Sequence, residues 1–373
     1  MEIYVKTGDA IAEILKREGV EILISYPVNH VIEAAARADI RTVIVRQERI
    51  GLHMADAMSR LSSGKNLGVF AMQHGPGSEN AFGGVAQAYG DSVPILVLPM
   101  GYARAAAHVT PNFNSTLNFR HVTKLAEPIT SADEISNVMR RAFTQLRNGR
   151  PGPVLVEIPY DLFTEEISGE LSYKPTFSTR SGPDPDAVSE TAEVLMNAER
   201  LVIYAGQGVH YAEAWQALKH LAELLAAPVT SSLGGKSAFP ENHPLSLGSG
   251  GRSMPRPVHE FLHNADVIFG IGCSFTNTAF GVTMPTGPKI VHSTLETTDL
   301  NKDIEADHAL IGDAGLTLDA LITEVEDRLK GKQRDSTPVA KTIQTMKKNW
   351  LDEWMPKLRS DHVPLSPYRV IWD

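Results

Sequence analysis

One local pattern recurs along this chain and confines its fold. A short run of β-branched and aliphatic residues ends at a turn, and a stretch of helical periodicity follows. Ile22 to Ser25, Thr42 to Val45, Leu67 to Met72, Ile95 to Leu98 and Pro153 to Pro159 are such runs. Leu67 to Met72 is nearly continuous in apolar residues, as a strand is when both its faces are covered. Between these runs, Thr7 to Glu18, Val31 to Ala38, Arg49 to Arg60, Ala81 to Tyr89 and Ala132 to Arg147 read as helices. The pattern restarts with strands at Leu201 to Ala205, Pro228 to Ser231, Ala265 to Gly270 and Lys289 to His292. Helices at Ala212 to Leu225 and Leu316 to Leu329 accompany them. Alternation of this kind predicts α/β architecture with doubly wound parallel sheets, and the restart predicts two of them.

The boundary between the two halves is expected in Gly169 to Pro185, a linker rich in Ser, Thr, Pro and Gly. The reading therefore places a first domain over residues 1–168, a linker over 169–185, a second domain over 186–331 and a helical tail over 332–373. In the tail, Ser366 is a good N-cap with Pro367 at the first helical position. The helix it starts has about one and a half turns before Asp373, too few to hold without packing. The expectation is that a further segment or another chain covers it.

The net charge of −9 argues against nucleic acid as the main partner, because phosphate binding needs a clustered basic surface. A single cysteine, Cys273, excludes an internal disulfide and a cysteine-based zinc site, and fits a reducing compartment. Met1 to Lys6 is not a basic region followed by an apolar stretch, so no signal peptide is expected. No apolar run approaches the ~20 residues that span a bilayer. These features predict a soluble, cytoplasmic protein with no membrane partner.

Chemistry concentrates around Glu48, which stands where the strand Thr42 to Val45 runs into the helix Arg49 to Arg60. About 25 residues on comes His74-Gly75-Pro76-Gly77-Ser78-Glu79-Asn80, then Tyr89-Gly90-Asp91-Ser92-Val93-Pro94. Taken alone, Glu48 reads as a carboxylate that complements the helix macrodipole. Together the three strings resemble the thiamine diphosphate enzymes of the acetolactate synthase and 2-oxo acid decarboxylase superfamily. Tyr26-Pro27, Asn148-Gly149-Arg150-Pro151-Gly152-Pro153, Ile203-Tyr204-Ala205-Gly206-Gln207-Gly208 and Phe239-Pro240-Glu241-Asn242-His243-Pro244 extend the resemblance over almost the whole chain. So does the tail, Pro364-Leu365-Ser366-Pro367-Tyr368.

The resemblance implies a pyrimidine-binding domain followed by a central, nucleotide-binding-like domain. No Gly-Asp-Gly with a downstream Asn occurs, so the C-terminal diphosphate-binding domain and its Mg2+ site are expected elsewhere, in a partner subunit or a further segment. Thiamine diphosphate would then be shared with that partner in a homo- or hetero-oligomer, no metal would be held by this chain, and the substrate would be a small 2-oxo acid. The resemblance makes Glu48 the catalytic carboxyl. In the family such a group, protonated, bonds the pyrimidine ring nitrogen and favours the imino tautomer that takes the proton from the thiazolium carbon. That role asks for a partly buried, apolar setting, and Val43, Val45, Ile50 and Leu52 stand close in sequence. The cofactor-binding residues implied are Tyr26, Pro27, Gly75, Pro76, Gly77, Asn80 and Tyr89.

Two departures bear on specificity. The family's Phe-Gln-Glu string is replaced by Val109-Thr110-Pro111-Asn112-Phe113-Asn114-Ser115, so Asn112 or Asn114, with His108 and Arg104 nearby, are the substrate-side candidates against a solvated-loop reading. The Arg-Phe-Asp-Asp-Arg and Asp-Ile-Asp strings that hold FAD in acetolactate synthases are replaced by Ser274-Phe275-Thr276-Asn277-Thr278 and Thr294-Leu295-Glu296. FAD is left open on that account. Gly206-x-Gly208 and Gly270-x-Gly272 fit either a phosphate cradle or tight strand-to-helix packing. His74 reads as structural, and His30 and His53 as helix-face residues. Two other classes stand beside this one. The first is an inert nucleotide-binding or regulatory remnant of such an enzyme. The second is a nicotinamide dehydrogenase, weakened because Gly206-Gln207-Gly208-Val209-His210-Tyr211 lacks the third glycine of the fingerprint.

Overall fold

The computed structural model describes residues 5–373, so the reading of Met1 to Tyr4 lies outside the described residues. The chain divides into two compact units, residues 5–179 and Arg180–Asp373.

The first unit begins with β1 (Val5–Lys6) and α1 (Thr7–Arg17), followed by β2 (Ile22–Ser25), α2 (Val31–Arg37), β3 (Arg41–Ile44) and α3 (Glu48–Leu61). Then come β4 (Gly68–Met72), α4 (Pro76–Gly90), β5 (Ile95–Gly101), α5 (Ser115–Phe119), β6 (Leu125–Pro128), α6 (Ile135–Arg147), β7 (Val154–Pro159) and β8 (Glu166–Ile167). Six strands form a parallel sheet in the order β3-β2-β4-β5-β7-β6. β1 and β8 form a separate antiparallel pair.

Every residue of β4, β5 and β7 is buried, and the period-two alternation sorts them between two cores. Val69 and Ala71 pack with Ile11, Leu15, Val138 and Phe143 of α1 and α6. Phe70 and Met72 pack with Leu52, Ala55, Ala81 and Val85 of α3 and α4. The glutamate expected at the strand-to-helix junction is the first residue of α3, whose buried residues are Glu48, Gly51, Leu52, Ala55, Asp56 and Ser59. Spacings of three and four put Glu48 on the stripe that faces the sheet, and this is why a carboxylate is buried there. α3 lies unusually close to the sheet. A Cβ on Gly51 would sit 2.2 Å from Cε2 of Phe70, so only glycine permits that approach.

The expected Gly-Pro-Gly loop is instead the start of a helix. α4 begins at Pro76, not at Ala81; Gly75 is its N-cap at φ 56°, and Pro76 holds the first helical position. A proline there lacks only an N–H that has no intrahelical partner, and its fixed φ is already helical.

The second unit contains α7 (Pro185–Asn197), β9 (Leu201–Ala205), α8 (Gly208–Tyr211), α9 (Trp215–Leu225), β10 (Val229–Ser231), β11 (Ser246–Ser249), α10 (Arg256–Asn264) and β12 (Val267–Ile271). β13 (Lys289–Thr294), β14 (His308–Ile311), α11 (Ala314–Leu329), α12 (Thr337–Leu358) and α13 (Pro367–Trp372) complete it. Its six strands are again parallel, in the order β11-β10-β9-β12-β13-β14. α7, α9 and α11 cover one face through Leu195, Leu218, Leu221 and Leu321. Leu262 of α10 and Ile343 of α12 cover the other, against Val202, Ile268 and Ile290. Both sheets are therefore parallel and doubly wound, as the alternation predicted. Ser366 caps α13 by accepting from the N–H of Tyr368. Among the described residues no helix is long and apolar enough to cross a membrane.

Residues 169–179 are held to the first unit by a buried acid. The Glu18 side chain is fully buried and accepts from Nη2 of Arg147 at 2.8 Å, from the Tyr173 hydroxyl at 2.6 Å and from the N–H of Thr176 at 2.8 Å.

Candidate functional site

In an open parallel sheet the ligand crevice opens at the carboxyl ends of the strands, where the order of winding reverses. In the first unit that point lies between β2 and β4, the two strands that continue into Tyr26 and into Gln73-His74-Gly75. The N–H of Tyr26 donates to the carbonyl of Ala71 at 2.9 Å, which holds the two strand ends together.

Glu48 stands at the same edge and is 4% exposed. Its Oε2 accepts from Nδ2 of Asn80 at 3.3 Å. A Cβ on Gly77 would be 3.5 Å from its Oε1 and 2.8 Å from Cγ of Gln73. The first turn of α4 thus reaches the carboxyl along bare backbone at Gly77 and through one amide at Asn80. Val45 and Leu52 supply buried apolar surroundings, whereas Ile50 is 52% exposed and turns away. Two buried polar atoms without a hydrogen-bond partner among the described residues flank the switch point: Ser25 Oγ and His74 Nδ1. The His74 ring meets Tyr102 edge-on at 4.6 Å.

Of the residues expected to touch a cofactor, Tyr26, Pro27, Gly75, Pro76, Gly77 and Asn80 all lie on the segments that adjoin this edge. Tyr89 does not. It is nine residues past Asn80 on α4, so about 13 Å further along the helix axis, and it is half exposed. There it leads into Asp91, which together with Asp56 accepts from the Arg60 guanidinium, at 2.8 Å for each closest contact.

The segment after β5 carries the substrate-side candidates. His108 is exposed, with Nδ1 3.3 Å from Nδ2 of Asn114. Asn114 caps α5 by accepting from the N–H of Leu117 at 2.8 Å. Asn112 donates to the carbonyl of Ala106 at 2.9 Å. Both asparagine side chains shape the segment itself. Arg104 is engaged by Asp161 at 2.9 Å and by Glu165.

Two features have no counterpart in the sequence reading. Asn29, 4% exposed, donates from Nδ2 to the carbonyls of Met72 at 2.8 Å and Leu98 at 3.0 Å, and accepts from the N–H of Val31 at 3.0 Å. The asparagine amide thus ties the carboxyl ends of β4 and β5 together through buried backbone carbonyls. The only local signal was an asparagine two residues past a strand-ending Tyr-Pro. The second feature is Glu157 in β7, 6% exposed; burial pushes its carboxyl above the ordinary range, while hydrogen bonding to Ser115 opposes that. The Ser115 hydroxyl is 3.1 Å from that of Ser78, in the first turn of α4 beside Gly77. A chain of buried polar groups therefore joins β7 to the turn that faces Glu48.

In the second unit the paired glycines serve close packing. The N–H of Gly206 donates to Ile271 at 2.9 Å and that of Gly208 to Gly272 at 2.8 Å, and a Cβ on Gly206 would meet the Gly272 carbonyl oxygen at 2.2 Å. Both amides are occupied. Cys273 is buried and unpaired, its thiol pushed up to about 12 by burial, which keeps it from being a reactive thiolate.

Comparison with known proteins agrees with this geometry. Residues 5–124 match the thiamine pyrophosphate enzyme N-terminal TPP binding domain, and residues 188–321 match the thiamine pyrophosphate enzyme central domain. The chain is 30% identical over 381 residues to a probable acetolactate synthase large subunit of Methanocaldococcus jannaschii, an alignment covering 99% of this chain and 63% of that protein. It is 29% identical to a glyoxylate carboligase of Escherichia coli O157:H7, over 97% of this chain and 62% of that one. It is 31% identical to the acetolactate synthase isozyme 3 large subunit of Escherichia coli K12, over 75% of this chain and 50% of that one. The chain thus spans less than two thirds of the length of these curated relatives. It belongs to the thiamine pyrophosphate enzyme family, whose N-terminal and central domains it carries.

Proposed function

We propose that the chain forms the pyrimidine side of a thiamine diphosphate site in an enzyme of 2-oxo acids, by acetolactate synthase-like carboligation or by decarboxylation. The observation that carries this reading is the Glu48 carboxyl. It is nearly buried at the switch point, with Asn80 on one oxygen and the bare backbone of Gly77 beside the other. The residues fit the group: the carboxyl has an apolar wall on one side and a glycine-flanked turn on the other, against which a flat heterocycle packs. When bound, the cofactor supplies a nucleophilic carbon able to add to the carbonyl of a 2-oxo acid.

This chain's own work is placement and proton control. Glu48 holds a proton at the pyrimidine ring nitrogen, and Asn80 fixes the plane of the carboxyl. Tyr26 and Pro27 close the other side of the crevice. His108, Asn112 and Asn114 form the segment nearest the substrate. The diphosphate and its Mg2+ are held by a further domain or another subunit. Exposed apolar side chains on the two helices that meet at Glu48 support that need for cover: Ile50 and Met54 share one face of α3, and Phe82 and Tyr89 one face of α4.

The test is reconstitution. This chain is mixed with a polypeptide carrying a diphosphate-binding domain, thiamine diphosphate, Mg2+ and pyruvate or glyoxylate. Turnover is expected only in the mixture, and Glu48→Gln should lower it by roughly 10²–10⁴-fold, the usual worth of a positioned proton-transfer group. Full turnover by this chain without the added polypeptide, or indifference to Glu48→Gln, would sink the proposal.

A further inference from the structure

Helix α10 carries two exposed histidines one turn apart, His259 and His263. Side chains four apart share a helix face, and here the two rings stack with centroids 3.9 Å apart and planes 22° from parallel. His263 Nδ1 lies 2.9 Å from the backbone oxygen of His259. A carbonyl oxygen only accepts, so Nδ1 carries the proton and the lone pair of the neutral ring sits on Nε2. Metal-ligating histidines are oriented in this way, by a hydrogen bond from the nitrogen that does not bind.

An ion held by two imidazole nitrogens at about 2.0–2.1 Å keeps those nitrogens roughly 3 Å apart. Coordination then requires the two stacked rings to turn until their lone pairs converge on the ion, a change confined to two exposed side chains one helical turn apart. The neighbouring cation, Arg256, is drawn to Glu353 on α12, Nη2 to Oε2 at 3.0 Å, so its charge is compensated.

The geometry points to a two-histidine site at His259 and His263 for a first-row divalent transition ion such as nickel, copper or zinc. Imidazole selects these ions over magnesium and calcium, which take oxygen ligands. Among the described residues no group of three or more His, Cys, Asp and Glu is placed to hold a metal, so water completes the coordination sphere. Affinity then rests on both rings being presented by one rigid turn. The inference is independent of the thiamine diphosphate reading.

The experiment is calorimetric titration of Ni2+ alone into the full chain at about pH 7.5, near neutral imidazole's working range. His259→Asn and His263→Asn are each expected to weaken the site by about 100-fold or more, because losing one of two linked ligands forfeits their avidity. His362→Asn, an exposed histidine elsewhere, should leave it unchanged, and Mg2+ should not compete. His263→Gln, a better helix former than asparagine, guards against mistaking a disturbed α10 for a lost ligand. Undiminished Ni2+ binding in either single variant would overturn the assignment.

Discussion

Nδ2 of Asn80 lies 3.3 Å from Oε2 of Glu48, so the first turns of two helices meet at one buried carboxyl. Replacing that amide with a second carboxylate should turn an attraction into a repulsion. Asn80→Asp is expected to destabilise the chain by about 1–3 kcal/mol at pH 7, because two carboxylates this close cannot both stay ionised without cost. The deficit should shrink as pH falls and the repulsion between the two carboxyls is relieved. Thermal unfolding of both proteins across a pH series checks it, and a constant deficit would refute the pairing.

Asn29 makes a different prediction. Asn29→Asp keeps the shape and removes both N–H donors, leaving the carbonyls of Met72 and Leu98 facing a carboxylate. Each unsatisfied buried group costs about 1–3 kcal/mol, so a loss of roughly 2–6 kcal/mol is expected in urea unfolding. Asn29→Ala also removes the acceptor for the Val31 N–H but places no charge against the two carbonyls, and should be milder. Near-neutral behaviour of the Asp variant would mean that water serves those carbonyls equally well.

Glu157 gives a signed pH dependence. Burial raises its folded-state value above the ordinary 4.5, so the native state holds the proton more tightly than the unfolded chain. The stability contributed is complete below about 4.5 and is lost as pH rises through the folded-state value. Glu157→Gln removes that dependence, so the variant should gain on the wild type between pH 4.5 and pH 7. Parallel stability curves for the two proteins would contradict it.

Glu18 joins α1 to residues 173–176. Glu18→Ala leaves Arg147 without its partner and is expected to cost about 3–5 kcal/mol, the usual penalty for breaking a buried ion pair. It should also release the chain around Tyr173, which chymotrypsin would then cut faster. Unchanged cleavage there would show that other contacts hold the segment.

Glu48 was singled out by its strand-to-helix junction together with the resemblance carried by the two downstream strings; alone it read as a first-turn carboxylate, and only the structure shows that it is buried with Leu52 and Ala55. The long apolar strands were readable from their pattern. The start of α4 was not, because glycine and proline signal a break unless proline occupies the first helical position. β6 escaped notice because a half-buried edge strand reading Leu-Ala-Glu-Pro has neither an apolar run nor alternation. α7 and α10 begin at or beside prolines, and α10 spans only nine residues. Asn29 binds carbonyls 43 and 69 residues away in sequence, a relation that no local window contains. Glu157 was masked by the apolar run around it, where a single acid looked like noise within a strand.

The contact between Gly51 and the Phe70 ring has a bearing on how this protein can be altered. With no space for even a methyl between Gly51 and the Phe70 ring, any larger residue at position 51 would push α3, and Glu48 with it, away from the sheet. Substitutions meant to alter the candidate site should leave this layer intact and be directed to the segment after β5 instead.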